Sequence, residues 1–272
     1  MNAICKYQNR FYRLATFFFI YFYLLFYVSC SDKEKKQQEI KKDSKVIESK
    51  INNELTLIMG GDALLHTAVY NDAKYTLPQE KDSKTKPAFS YDFSKMFIHT
   101  ATLISQYDLA FYNQETILGG KELGLSSSPA FNSPQEFGDC MINLGFNLIS
   151  LANNHTLDRG EKAIINSREY WSKKPVIAAG SYISENERNT AKIYEKNGIT
   201  YTLLAYTYGT NGIPIPKNKE YLVNVYNKEM LKKDIENVRN KVDLLMVSMS
   251  MILSQIKSKK NSPTISQHLV WI

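Results

Sequence analysis

The chain has 272 residues, 43% of them hydrophobic, and a formal charge of +7. That apolar share supports a packed core and excludes a disordered chain. The positive charge sits at the ends: Lys6, Arg10 and Arg13 carry three, seven Lys against five acids in 31–53 add two, and Lys257, Lys259 and Lys260 add three. The body between Glu54 and Met249 is left with one negative charge, which excludes an electrostatic footprint for nucleic acid, so no nucleic-acid partner is expected.

Along the chain, a basic start precedes the apolar run LATFFFIYFYLLFYV, residues 14–28, which is short for a membrane span and suits an export signal. Val28-Ser29-Cys30 follows, with the small residues that precede an acylated cysteine. The expectation is a lipoprotein signal over 1–29, Cys30 as the lipidation site, and an exported protein anchored to the membrane by lipid. An uncleaved N-terminal anchor is the alternative. Residues 30–53 read as the lipidated cysteine and a charged, solvated tether. Cys140 is the one cysteine of the body, so no internal disulfide forms there, and its place on an apolar helix face gives it a structural role.

The body, 54–249, alternates strands and helices. Short apolar runs at 55–59, 109–112, 147–151, 176–179, 200–206 and 242–247 read as buried strands. Helical spacing covers 93–106, 133–144, 161–172 and 228–241. Ser133-Pro134 with Glu136 forms a helix start, and Gly145 a stop. This pattern predicts an α/β domain with a largely parallel sheet.

Three strands end in polar clusters: Gly61-Asp62, Asn113-Gln114-Glu115, and Asn153-Asn154-His155 with Asp158. Ligands of such sheets bind beyond the carboxyl ends of the strands. Two carboxylates, an amide oxygen and an imidazole there suit a divalent metal of mixed O/N ligation, Mn²⁺, Fe or Zn²⁺, which can hold phosphate and activate water. The same residue types also serve as turn and cap residues, a lone histidine is commonly structural, and Asp158 is expected as the N-cap of the next helix. His66 is a further candidate ligand, His99 is expected to be structural, and Tyr206, Tyr208 and Asn211 are candidates to line the same edge.

GGDALLH, NQET, GFNLISLANNHTLDRG and AAGSY, followed by LAYTYGTNG and VDLLMVSM, resemble successive blocks of the CapA capsule-synthesis family (poly-gamma-glutamate synthesis, PGA_cap) over residues 55–249. That family is similar to calcineurin-type metallophosphoesterases. The resemblance implies a metallophosphoesterase-type sandwich with sheets flanked by helices. It implies Asp62 and Glu115 as metal-site acids, Asn154 as a metal ligand, and His155 as the catalytic contact to phosphate. It further implies a role in capsule or polyglutamate synthesis or export, with the polymer and an export machinery as partners. The family continues from a strand like VDLLMVSM into a His-Trp-Gly block and a later histidine-rich block, and neither is found in 250–272. The resemblance therefore implies a frameshifted tail over 250–272, a fold incomplete at its C-terminus, and a weakly held metal. A non-catalytic polymer-binding assembly lipoprotein and the inactive product of a decayed gene are the alternatives.

Overall fold

A computed structural model describes residues 53–78, 88–252 and 266–271. The signal expected over 1–29, Cys30, the tether up to residue 52 and most of the tail lie outside the described residues. Among the described residues no helix is long and apolar enough to cross a membrane.

The chain enters as strand β1 (Leu57–Asp62), followed by helix α1 (Thr67–Asp72) and the hairpin strands β2 (Lys74–Thr76) and β3 (Phe89–Tyr91). Helix α2 (Ala101–Ile104) leads to β4 (Leu109–Asn113). Then α3 (Glu136–Leu144), β5 (Leu148–Ser150), α4 (Gly160–Ser172) and β6 (Ile177–Ala179) alternate. After α5 (Glu185–Asn189) come β7 (Tyr194–Lys196), β8 (Ile199–Thr207), α6 (Lys228–Val238), β9 (Leu244–Ile252) and β10 (Ser266–Trp271). One sheet has the order β1-β4-β5-β6 and is parallel throughout. The second, β10-β9-β8-β7, is mixed: β8 and β9 run parallel, while β7 and β10 are antiparallel to their neighbours.

Both faces of β4 and β5 are buried, which is why they read as continuous apolar runs, whereas the edge strand β1 is half-buried at Leu57 and Ile58 and exposed from Met59 onward. Leu109, Phe111, Leu148 and Ile177 face the second sheet and pack with Tyr201, Leu203, Ala205 and Met246. Ala110, Tyr112 and Ile149 point the other way, into a core with Phe137, Met141 and Leu144 of α3 and Tyr170 and Trp171 of α4. The fold is α/β, a sandwich of two sheets with helices outside the parallel one. Gly180 closes β6 at φ +100°. A Cβ there would lie 2.5 Å from Ala152 Cβ and 2.9 Å from Ala205 Cβ, so only glycine fits between the sheets.

The two sheets start with the same device. Thr56, just before β1, donates its N–H and hydroxyl to Asp108 Oδ2, each at 2.9 Å, and its hydroxyl oxygen accepts the Asp108 N–H at 3.0 Å. Thr200 of β8 repeats all three bonds with Asp243, just before β9. Each parallel pair is thereby registered at its amino end by a threonine and an aspartate. The hydrogen bonds hold both carboxyls below the usual range.

Helical spacing over 93–106 gives less helix than expected: a 3-10 turn at Ser94–Phe97, then the four residues of α2. Asp92 Oδ1 accepts the Ser94 N–H and starts the tight turn, and Phe93 is locked edge-on against Phe137. Tertiary packing of the phenylalanines overrides the local period here. Gly145 ends α3 in the left-handed region as its position predicts. Ser133 does not cap that helix, because its hydroxyl donates to Thr116 Oγ1 at 2.8 Å.

Candidate functional site

Parallel pairing places the polar strand ends side by side: Asp62 is in register with Asn113, and Asn113 with Ser150, two residues before Ala152. The pairing of β1 shifts register between Met59 and Asp62, at Gly60-Gly61, and such an irregularity re-aims the residues after it.

A relay of side-chain amides joins the three strand ends. Asn113 Nδ2 donates to Asp62 Oδ1 at 2.9 Å. Asn153 Nδ2 donates to Asn113 Oδ1 at 3.3 Å and to the Gln114 carbonyl at 2.9 Å, while its Oδ1 accepts the His155 N–H at 2.9 Å. Asn113 and Asn153 are buried, so each bond replaces one otherwise made to water. Asn153 thus shapes the turn that presents Asn154 and His155.

His155 is held by Asp158. Its Nδ1 lies 2.7 Å from Asp158 Oδ2, and the Asp158 side chain is only 1% exposed. The expected N-cap role of Asp158 does not occur. The helix starts one residue later with Arg159 at its N-cap and no side-chain cap, because Asp158 turns inward to His155 and the Phe131 N–H. The local sequence supports either role, and only the position of residue 131 decides it.

Glu115 is buried, and its carboxyl is pushed up to about 7, first by burial and then by the negative charge of Asp62, with Asp158 adding to it and His155 opposing. Asn154 Nδ2 donates to Asn211 Oδ1 at 3.3 Å, while its Oδ1 is buried without a hydrogen-bond partner. Tyr208 donates to Asn211 Oδ1 at 3.4 Å, and its hydroxyl is raised by burial and by Glu115. Tyr208 and Asn211 therefore belong to this edge. Tyr206 does not, since its hydroxyl donates to Asp234 at 2.7 Å. His66 Nδ1 lies 3.0 Å from Ser127 Oγ. Exposed His99 sits in a turn rather than in a helix, and Cys140 packs against the α3 core with its thiol pushed up to about 11 by burial.

Among the described residues, no three His, Cys, Asp or Glu side chains form a group able to hold a metal. Asp62 and Glu115 lie in each other's field, and Asn154 Oδ1 is buried without a hydrogen-bond partner at the same end of the sheet. Carboxylate and amide oxygens are the donor types that a hard divalent cation takes.

The family described as bacterial capsule synthesis protein PGA_cap matches residues 56–267. The chain belongs to this family. The match includes every strand end described above and runs beyond the span 55–249 that the motif blocks cover. No curated protein matches the chain. In this capsule-synthesis protein the sequence reading names His155 and Asp158 but overlooks their pairing, and it overlooks Phe131 altogether. The i, i+3 spacing of His155 and Asp158 was the available signal for the pair.

Proposed function

We infer that this capsule-synthesis family member binds a phosphoester and a weakly held divalent cation at Asp62, Glu115, Asn154 and His155, in the synthesis or export of a capsular polymer of the polyglutamate type. The carrying observation is the buried Glu115, raised to about 7 within the field of Asp62 beside the unpaired Asn154 Oδ1. A bound cation would polarise a phosphoryl oxygen and lower the pKa of a bound water. Asp62, Glu115 and Asn154 would hold it. His155, fixed through Nδ1 by Asp158, keeps Nε2 for a phosphate oxygen or a leaving-group proton. The basic, apolar N-terminus ending at Cys30 supports a lipid-anchored site outside the cytoplasm.

In a second reading the same edge binds acidic polymer without hydrolysing it. One experiment separates the two. Metal content is measured in the purified protein, together with hydrolysis of a chromogenic phosphodiester with Mn²⁺ or Mg²⁺, for the native chain, Asp62→Ala and His155→Ala. Bound metal and turnover that both variants lose support the phosphoester reading. A native chain without bound metal and without turnover sinks it.

A further inference from the structure

Two imidazoles pack against one aromatic ring at this edge. The Phe131 ring lies 5.1 Å from that of His66 and 4.9 Å from that of His155, edge-on to both at 79° and 81°. All three are fixed from behind. The Asp158 oxygen that holds His155 Nδ1 also accepts the Phe131 N–H at 2.8 Å. Arg159, the next residue, donates to the Leu123 carbonyl at 2.6 Å, the Gly124 carbonyl at 3.0 Å and Ser126 Oγ at 2.5 Å. The segment carrying His155 therefore anchors the loop 123–131 at both ends. From that loop, Ser127 Oγ reaches His66 Nδ1 at 3.0 Å and accepts the Thr67 N–H at 3.3 Å.

Each imidazole thus has Nδ1 engaged and Nε2 without a protein partner among the described residues. A serine oxygen that already accepts the Thr67 N–H has its own proton to give to His66 Nδ1. With the serine as donor, the proton of the neutral His66 ring lies on Nε2. His66 then presents an outward N–H donor in both protonation states, on an exposed side chain. Arg159, the cation adjoining this segment, is turned to the loop by three hydrogen bonds, and the two imidazoles stand beside it as candidate anion donors.

We propose that His66 is the second imidazole of the site, a specificity-determining residue that binds an acidic group of the substrate next to the one met by His155. The substrate class is a chain molecule with two neighbouring anionic groups, linked phosphates or a phosphate beside a carboxylate. This rests on the reading that His155 meets a phosphate.

The test uses the full-length chain with isotope-labelled histidines, of which there are four, assigned by single His→Gln variants. Inorganic phosphate and inorganic pyrophosphate are titrated in the presence of Mg²⁺, and ring resonances and affinities are read by NMR. Pyrophosphate is expected to shift both His66 and His155, with His99 as internal reference. His66→Gln is expected to reduce the preference for pyrophosphate over phosphate about tenfold. If His155 shifts while His66 stays still, or if the variant weakens both probes equally, the proposal fails and the phosphoester reading stands. If His66 alone responds, the shared site is disproved. If neither ring responds, the phosphoester reading falls, and the pairing with it.

Discussion

Asn113 Nδ2 lies 2.9 Å from Asp62 Oδ1, so a buried amide on one strand orients a carboxylate on its neighbour. The same Asn113 accepts from Asn153, and this couples Asp62 of β1 to the turn that carries His155. Replacement by leucine leaves Asn153 short of an acceptor and removes a donor to Asp62 Oδ1. Asn113→Leu is expected to lower unfolding free energy by about 2 kcal/mol and to weaken divalent-cation binding by about 10- to 100-fold. Urea unfolding and a Mn²⁺ titration read the two effects. A variant with native metal affinity would show that the Asn113 bond does not orient Asp62.

Asp158 holds two groups on one oxygen, His155 Nδ1 and the Phe131 N–H. An asparagine in its place keeps the shape but loses the charge that fixes the imidazole. Asp158→Asn is expected to cost about 2 kcal/mol of stability and to reduce phosphodiester turnover by about 10- to 100-fold. The stability change should appear as a lower denaturation midpoint with an unchanged slope. Turnover at the native level would mean that His155 needs no partner.

Glu115 sets a pH dependence whose sign follows from its raised carboxyl. In the unfolded chain it releases its proton near 4.5, and in the folded metal-free protein near 7. Between those values the folded state holds a proton that the unfolded state has lost. Stability therefore falls as pH rises through the window, by about 3 kcal/mol in all. Glu115→Gln should flatten this slope in metal-free protein. Saturating Mg²⁺ should also reduce it, because a bound cation favours the carboxylate. Thermal melts at pH 4.5–7.5 with and without Mg²⁺ provide the measurement, and a slope indifferent to Mg²⁺ would remove Glu115 from the ligand set.

The threonine–aspartate clamps of the two sheets are separate and chemically alike. Thr56→Val and Thr200→Val each remove the hydroxyl but keep the β-branched shape. Each is expected to cost about 1 kcal/mol. Because the two sites share no partner, the double variant should lose the sum of the single losses. Chemical denaturation of the four proteins tests this, and strong non-additivity would show that the two strand starts are coupled.

The central strands were legible because both faces of β4 and β5 are buried. Leu109–Tyr112 and Leu148–Leu151 therefore show as apolar runs without any knowledge of the partners. Gly145 was legible because a helix stop needs a left-handed residue at that one place. The shortened helix at 93–106 was not, because Phe93 is fixed by Phe137, more than forty residues away. Strands β2, β3 and β7 are three residues each, too short for a period to show.

By itself the sequence determined the residue types gathered at the strand ends, Asp62, Asn113-Gln114-Glu115 and Asn153-Asn154-His155, since parallel α/β topology sends every such end to one edge. Only the tertiary structure decided what each does there. Asp158 is a histidine partner rather than a helix cap because residue 131 comes within 2.8 Å of it. Tyr206 leaves the site because Asp234 lies on its side of the sheet, and His66 joins His155 only through Phe131. Period and composition are local properties of the chain. The partner of a buried polar group is set by whichever distant segment packs against it.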